Sequence, residues 1–148
     1  MSSIRTEVTI QAPASTVWAI LMDFEQYPNW NPFISIQGEP QPGSRLENKI
    51  TLEGRASQVF KPVVIELEPG RSFRWLGHLW VRGLFDGEHY FELEPIGPQQ
   101  TRLVHGEHFR GILRGPILRL IAGQTEQGFN NMNAALKALA ERQFAEGK

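Results

Sequence analysis

The chain has 148 residues, a formal net charge of −1 and no cysteine. This length predicts one domain over residues 1–148, and a hydrophobic share of 41% excludes the composition of disordered proteins. The lack of cysteine excludes disulfide scaffolds, thiolate metal centres and cysteine nucleophiles. Near-neutral charge argues against a nucleic-acid partner, because phosphate binding needs a clustered basic excess. The sequence shows neither a signal peptide nor a membrane span, so we expect a cytoplasmic protein without integral membrane association.

The N-terminal segment predicts a strand followed by a short helix. Residues Ile4–Ile10 alternate between apolar and polar side chains, which is the period of a half-buried strand. After Pro13, the apolar residues of Ala14–Met22 follow helical spacing. Two prolines in Tyr27–Phe33 then exclude a regular helix that continues through this stretch.

The middle of the chain predicts a series of antiparallel strands. Six alternating segments are separated by Gly/Pro turns, which favour hairpins over crossover connections. These segments are Phe33–Gln37, Arg45–Leu52, Gln58–Leu67, Ser72–Trp80, Phe85–Leu93 and Thr101–Phe109. From about residue 116 to 142 the apolar period becomes helical, and Pro116 suits a first helical turn.

This order of elements predicts an α+β fold. A curved antiparallel sheet of six or seven strands must bury its apolar face against the long C-terminal helix. The inward stripe of that helix is predicted to contain residues spaced by three or four. These are Ile117, Ile121, Gln124, Gly128, Met132, Ala135 and Leu139.

Residues along most of the chain resemble the START-like superfamily, also called SRPBCC, in its polyketide cyclase/dehydrase-like branch. The matching segments are Ala12-Pro13, Val17-Trp18, Leu21, Asp23, Tyr27, Trp30-Asn31-Pro32-Phe33, Phe91 to Pro95, Glu107 to Gly111, and Gly128-Phe129 through Met132-Asn133 to Ala135-Leu136-Lys137. The resemblance implies a helix-grip fold, with a bent sheet around the last helix and a hydrophobic cavity between them. Members of this superfamily bind lipids, sterols, polyketides, plant hormones or protein clients, so the fold alone does not define the function.

The centre of the helix stripe is consistent with such a cavity. Gln124 and Gly128 stand where larger apolar residues occur elsewhere in the stripe. A glycine inside a helix costs about 1 kcal/mol relative to alanine, which suggests a reason to retain it. Two reasons remain open for Gly128: space for a ligand, or close packing of the helix on the sheet.

Three titratable residues are predicted to share the apolar face of the last hairpin. A turn near Gly97 places Phe91 opposite His105 and His89 opposite Glu107. The preceding turn, at Gly83, places Gly77 beside His89 and Trp75 beside Phe91 in the same way.

The cluster of His89, His105 and Glu107 allows three interpretations. It can be a structural network of buried hydrogen bonds. It can be the polar end of a ligand cavity. It can also carry out acid–base chemistry or, with less support, bind a metal. The metal motif is weak because His108 points to the opposite face of the strand, and we predict no metal.

Other conspicuous residues have simpler interpretations. Packing in the core or at its rim is expected for Trp18, Trp30, Trp75 and Trp80. A basic stretch at Arg110, Arg114 and Arg119 could attract an anion or lipid head-group, although a solvated face is the simpler reading. No nucleophile elbow or nucleotide-binding glycine pattern is present, so no cofactor is expected.

The sequence therefore predicts a protein that binds one small hydrophobic molecule. The expected apolar contacts are Trp75, Leu79, Phe91, Leu103 and Phe109, with Gly128 leaving space. The expected polar contacts are His89, His105, Glu107 and Gln124. The segment Val81–Asp86, with Gly83 and Gly87 as hinges, is expected to gate the entrance.

Two other functions stay open at this stage. One is a cyclase or dehydratase in which His89 moves protons, Glu107 orients the ring and favours its protonated form, and His105 is a second partner. The other is a protein-interaction module. The sequence also leaves both a monomer and a homodimer open.

Overall fold

The computed structural model describes residues 2–79 and 81–147. Trp80, for which packing was predicted, lies outside the described residues. Within the described part the strands are β1 (Ser3–Ile10), β2 (Ile34–Gln37), β3 (Glu47–Ile50), β4 (Gln58–Phe60), β5 (Val63–Glu68), β6 (Ser72–Leu79), β7 (Phe85–Gly97) and β8 (Gln100–Arg110). The α-helices are α1 (Ala14–Met22), α2 (Tyr27–Trp30) and α3 (Arg114–Ala145), with a 3₁₀ turn at Phe24–Gln26.

The strands form two antiparallel sheets. One has the order β1-β8-β7-β6-β5, and the other has the order β2-β3-β4. A bridge between Arg45 and Val63 links them. The α+β class, with antiparallel strands and a long C-terminal helix, is confirmed. The count differs from the expected six or seven strands in one sheet, because the described residues form eight strands in two sheets.

Pro62 explains part of this difference. The predicted strand Gln58–Leu67 is interrupted at this residue and becomes β4 and β5. Proline has no N–H to donate to a ladder, which favours a break in the strand. Its carbonyl instead accepts a hydrogen bond from the Leu46 N–H at 2.8 Å.

The predicted registers of the two hairpins that carry the cluster are confirmed in one case and wrong in the other. In β7–β8 the predicted register is confirmed, with Phe91 opposite His105 and His89 opposite Glu107. In β6–β7 the predicted register is wrong by two positions, because Trp75 lies opposite His89. The turn between these strands is centred one residue earlier than expected. Gly77 therefore faces Gly87 rather than His89.

Helix α3 packs on β1, β7 and β8 and extends beyond the predicted range of 116–142 at both ends. Its buried residues are Leu118, Thr125, Gly128, Phe129, Met132, Asn133, Leu136 and Ala140. The predicted stripe is thus displaced, and Ile117, Ile121, Gln124, Ala135 and Leu139 are only half-buried. The buried face includes the polar residues Thr125 and Asn133. A prediction based on apolar residues alone therefore chose the adjacent face of the helix. No described helix is both long and apolar enough to cross a bilayer.

The proline-containing stretch after α1 includes one helical turn, α2, and no helix continues through the stretch, as the two prolines predicted. Pro28 lies in the first turn, where the absent N–H has no helical partner to lose. The turn ends at Trp30, before Pro32. The Tyr27 hydroxyl donates to the Leu21 carbonyl at 2.6 Å and fixes this turn against α1.

Candidate functional site

A cavity of about 350 Å³ lies between the two sheets and the N-terminal half of α3. Strands β6–β8 contribute Trp75, Leu79 and Phe109, and α3 contributes Ile117 and Ile121. The opposite wall is formed by β3, β4 and the loop between them. Its apolar members are Ile50, Leu52, Ala56 and Phe60. Such a concave and largely apolar lining is typical of sites for small apolar molecules.

Glu107 carries a carboxyl group into this apolar space. The residue is on β8 opposite His89, and its side chain keeps 19% of its exposure while that of His89 keeps 2%. A Cβ atom on Gly87 would collide with Glu107 Oε2. Gly87, which lies within β7, therefore makes room for the carboxyl group in the sheet surface.

Aromatic rings fix the two histidines. The Trp75 ring stacks on His89 with centroids 4.5 Å apart and planes 13° apart. The Phe129 ring stacks on His105 with centroids 4.3 Å apart. The Phe91 ring also contacts His105, with centroids 4.3 Å apart. Such packing excludes water from both imidazoles and restricts their orientation.

Hydrogen bonds join these residues in a line. His89 Nδ1 is 3.3 Å from Glu107 Oε1, and His89 Nε2 is 2.7 Å from His105 Nε2. His105 Nδ1 is 2.8 Å from Asn133 Oδ1. The Asn133 amide in turn donates to the Thr6 hydroxyl at 2.8 Å. The cluster thus extends across the sheet to β1 and α3.

Burial controls the charge of the cluster. It raises the pKa of Glu107 to about 8 and lowers the pKa of His89 to about 3. Burial, together with neighbouring His89, also lowers the pKa of His105 well below its usual value. The expectation that Glu107 favours a protonated His89 is therefore reversed. Burial disfavours the charged form of each group, which favours a proton on the carboxyl group over a second proton on either ring.

Asn48 is a cavity residue that was not predicted from the sequence. This residue of β3 lines the cavity, is fully buried, and has a hydrogen-bond partner for neither its Oδ1 nor its Nδ2 atom within the described residues. A signal was present in the sequence. Asn48 lies two residues from both Leu46 and Ile50 in a predicted strand, so the three side chains share one face. This places an amide on the inward face.

The predicted ligand contacts fall into two layers. Trp75, Leu79, His89, Glu107 and Phe109 form part of the cavity wall. The other predicted sheet residues are completely buried outside that wall. They are Phe91, Leu103 and His105.

Gln124 and Gly128 do not line this cavity, in contrast to the prediction. They line a second pocket of about 420 Å³ between α3 and the β3–β4 loop, residues 51–57. Gln124 accepts a hydrogen bond from Arg55 Nε and donates to the Glu53 carbonyl at 3.2 Å. It thus fastens the loop to the helix. A Cβ on Gly128 would lie 2.5 Å from Phe33 Cδ1, so close packing accounts for this glycine.

Backbone hydrogen bonds at Gly83 and Leu84 tie the predicted gate to the residues just before α3, and a further bond lies within the gate. The Gly83 N–H donates to Asp86 Oδ1 at 3.0 Å, and the Gly83 carbonyl accepts from the Ile112 N–H at 3.1 Å. Leu84 accepts from the Leu113 N–H at 2.9 Å. Gly83 itself has a φ of +94°, which suits a turn.

The arrangement of the cluster is that of hydrogen bonds rather than of metal ligands. In residues 2–79 and 81–147, no three His, Cys, Asp or Glu side chains form a group suited to a metal ion. His89 Nε2 and His105 Nε2 lie in direct contact at 2.7 Å. A metal between them would separate the nitrogens, because each Zn–N bond is about 2.0–2.1 Å long.

Comparison with known proteins agrees with this architecture. The sequence profile of the family described as "Polyketide cyclase / dehydrase and lipid transport" matches residues 1–142. No curated protein matches the sequence.

Several solved structures share the fold. The Zhui aromatase/cyclase from Streptomyces sp. R1128 is 17% identical with a TM-score of 0.78, over 96% of this chain and 94% of that one. A START superfamily protein from Mycobacterium smegmatis is 23% identical with a TM-score of 0.71, over 94% and 99%. A point mutant of norcoclaurine synthase from Thalictrum flavum, in complex with a transition-state analogue, is 14% identical with a TM-score of 0.73, over 96% and 95%. At these identities the likeness concerns the fold alone.

Proposed function

The chain belongs to the polyketide cyclase/dehydrase and lipid transport family, and we propose that it binds one small, largely apolar molecule in the cavity between its sheets and α3. The cavity of about 350 Å³ suits a molecule of two or three fused rings or of similar bulk. Its apolar walls supply most of the binding free energy, and its few polar groups orient the ligand.

The single observation that carries this proposal is the state of Asn48. Its amide is completely buried at the cavity wall, with no hydrogen-bond partner for either polar atom in the described part of the chain. An unsatisfied buried polar group costs about 1–3 kcal/mol. A ligand with a polar atom beside Asn48 offsets that cost, which gives a reason for an amide at this position.

The test is binding of an apolar probe, β-naphthyl methyl ether, measured by calorimetry together with native mass spectrometry of the purified protein. We expect saturable binding of one molecule per chain. Ile121→Trp places a larger side chain in the cavity wall and should abolish this binding. Ile65→Trp is the matched control, because Ile65 is 44% exposed and does not line the cavity. Equal binding by the two variants would contradict the proposal.

A second function, acid–base catalysis, is favoured by the position of Glu107. A carboxyl group with a pKa raised to about 8 faces the cavity beside a neutral histidine. A general base works best when its pKa lies near the working pH. In its ionised form Glu107 can accept a proton from the carbon next to a ketone, and return a solvent-derived proton to the same carbon.

This catalytic function has its own probe, β-tetralone, an apolar ketone whose exchangeable protons are replaced by deuterium in heavy water. NMR should show protein-catalysed exchange that becomes faster as the pH rises through about 8. Glu107→Gln cannot accept the proton, so exchange should fall by roughly 100-fold or more. Equal exchange rates in the parent and the variant would exclude Glu107 as a catalytic base and leave binding as the function.

A further inference from the structure

Five side chains form a continuous hydrogen-bond chain from the cavity to β1. In order they are Glu107, His89, His105, Asn133 and Thr6. The chain ends where the Thr6 hydroxyl meets the His105 backbone carbonyl at 2.7 Å. This backbone carbonyl can only accept a hydrogen bond, and it therefore determines the direction of every other bond.

The direction follows one bond at a time. Thr6 must donate to the carbonyl, so its oxygen accepts from the Asn133 amide nitrogen. The Asn133 carbonyl oxygen then faces His105 Nδ1, which must carry a hydrogen. In a neutral His105 the other ring nitrogen, Nε2, is consequently an acceptor.

The bonds nearer the cavity have fixed directions as well. His89 Nε2 must carry the hydrogen that His105 Nε2 accepts. A neutral His89 then presents an unprotonated Nδ1 to Glu107 Oε1. Only a protonated carboxyl group can donate to that nitrogen. With both rings neutral, as their lowered pKa values indicate, these bond directions leave the hydrogen on Glu107 Oε1 and make Oε2 carbonyl-like.

We propose that the cavity prefers a neutral ligand whose polar end is a hydroxyl group, which donates to Oε2 of protonated Glu107, and that it rejects carboxylates. This inference rests on the proposed binding function and names the ligand class. Oε2 lies over Gly87, which has no side chain to cover it. The hydrogen of the carboxyl group is already used by His89, so the ligand must provide the next one.

The electrostatic surroundings support a neutral ligand. Burial raises the pKa of Glu107 to about 8, and both histidines have lowered pKa values. The other ionisable wall residues are His78, which is bonded to Asp86, and Arg55, which is bonded to Gln124. His108, on the same strand as Glu107, is exposed and points to the other face of the sheet. Arg55 keeps its positive charge, because its partner Gln124 is neutral, but this bond holds Arg55 toward α3. Within the described residues Glu107 pairs with His89, whose pKa is lowered, so a ligand carboxylate beside Glu107 would lose its hydration with no cation in contact.

Three probes of one skeleton test this inference by calorimetry at pH 7. They are β-naphthol, β-naphthyl methyl ether and β-naphthoate. We expect β-naphthol to bind about tenfold more tightly than the ether, which cannot donate, and β-naphthoate to bind at least tenfold more weakly than β-naphthol. Equal affinity for the naphthol and the ether, or tight binding of the naphthoate, would overturn the hydroxyl preference while leaving the binding function intact. Binding of none of the three would contradict the binding function itself.

Two variants separate a neutral acid from an ionised one. In Glu107→Gln, the amide can donate to His89 Nδ1 and accept from the ligand, so the preference for naphthol over its ether should persist. In Glu107→Leu both hydrogen bonds are lost, and the two probes should bind alike. Loss of the preference in a folded Glu107→Gln protein would show that an ionised carboxylate is the acceptor and would refute the assignment.

Nitrogen-15 NMR of the histidine rings tests the direction of the chain without any ligand. We expect the hydrogen on Nδ1 of His105 and on Nε2 of His89. The opposite pattern, with hydrogen on Nδ1 of His89, would make Glu107 an acceptor in its ligand-free state and overturn the inference.

Discussion

At the scale of single residues, Gly128 and Gly123 give a matched pair within α3. A Cβ on Gly128 would press on the Phe33 ring, whereas a Cβ on Gly123 has no neighbour within 4 Å. We expect Gly128→Ala to lower the free energy of unfolding by about 1–3 kcal/mol through overpacking. Gly123→Ala should raise it by up to about 1 kcal/mol through helix propensity. Urea denaturation of both variants measures this, and equal shifts would contradict close packing at Gly128.

Replacement of Asn48 is expected to stabilise the protein. Asn48→Leu removes two buried atoms that have no partner in the described residues, and should raise the free energy of unfolding by about 1–3 kcal/mol. Asn31 is the control, because its Nδ2 also has no partner in the described residues, whereas its Oδ1 accepts from the Phe33 and Ile34 N–H groups at 2.9 and 3.0 Å. Asn31→Leu should lower stability by about 1–2 kcal/mol. Thermal and urea unfolding of the two variants decide whether Asn48 is retained for function, and a destabilised Asn48→Leu would indicate a structural role.

Glu107 predicts a pH dependence of stability. Its pKa rises from 4.5 in the unfolded chain to about 8 in the folded protein, so the folded state binds more protons between these values. The contribution of Glu107 to stability is therefore complete below pH 4.5 and is lost as the pH rises to about 8. His89 acts oppositely between about pH 3 and 6.5, because its pKa is lowered.

Only Glu107 of these two groups changes stability between pH 6.5 and 8. The free energy of unfolding should fall across this range by no more than about 1.4 kcal/mol per pH unit. Glu107→Gln lacks the titrating group and should remove this decline. Urea unfolding at several pH values compares the two proteins. An identical slope in both would mean that Glu107 ionises normally in the folded state.

At the scale of elements, the β3–β4 loop covers one side of the cavity and is fastened to α3 through Gln124. Gln124→Ala removes both hydrogen bonds to the loop. We expect the association and dissociation rates of β-naphthyl methyl ether to increase several-fold in stopped-flow measurements, with a smaller change in Kd, because loop opening precedes entry. Gln127→Ala is the control, since within residues 2–79 and 81–147 the Gln127 side chain donates along its own helix to Asn131 and not to the loop. Unchanged rates in Gln124→Ala would place the entrance elsewhere.

Elements also show how far the sequence predicts the site. The β7–β8 register could be derived because the turn at Gly97 is short and both strands alternate clearly, which brought His89 and Glu107 together. The β6–β7 register could not, because a shift of two positions keeps every side chain on the same face. The stacking of Trp75 on His89 was missed for this reason.

The prediction of the buried face of α3 was wrong for a different physical reason. Asn133 and Thr125 face the core because hydrogen bonds or the cavity accept them, and a pattern of apolar residues alone treats such positions as exposed. Likewise, the sequence suggested that Glu107 would stabilise a charged His89. The depth of burial, which only the folded structure provides, reverses that order of pKa values.

In the molecule as a whole, the cavity is lined by residues of both sheets and of α3. The five-stranded sheet supports the hydrogen-bond chain, the three-stranded sheet supplies Asn48, and α3 closes the space between them. The resemblance to START-like proteins predicted such a cavity. It could not predict its polarity, which depends on a few residues of this chain and their mutual contacts.

The protonation of Glu107 in the ligand-free protein decides whether the cavity presents a neutral acid or a carboxylate. The carbon-13 chemical shift of its carboxyl group, followed by NMR against pH and assigned with Glu107→Gln, reports this state at a single atom. We predict a protonated carboxyl group at pH 6.5 and a midpoint near the raised pKa of about 8. A carboxylate that is already ionised at pH 6.5, with a midpoint near the ordinary value of 4.5, would contradict the account.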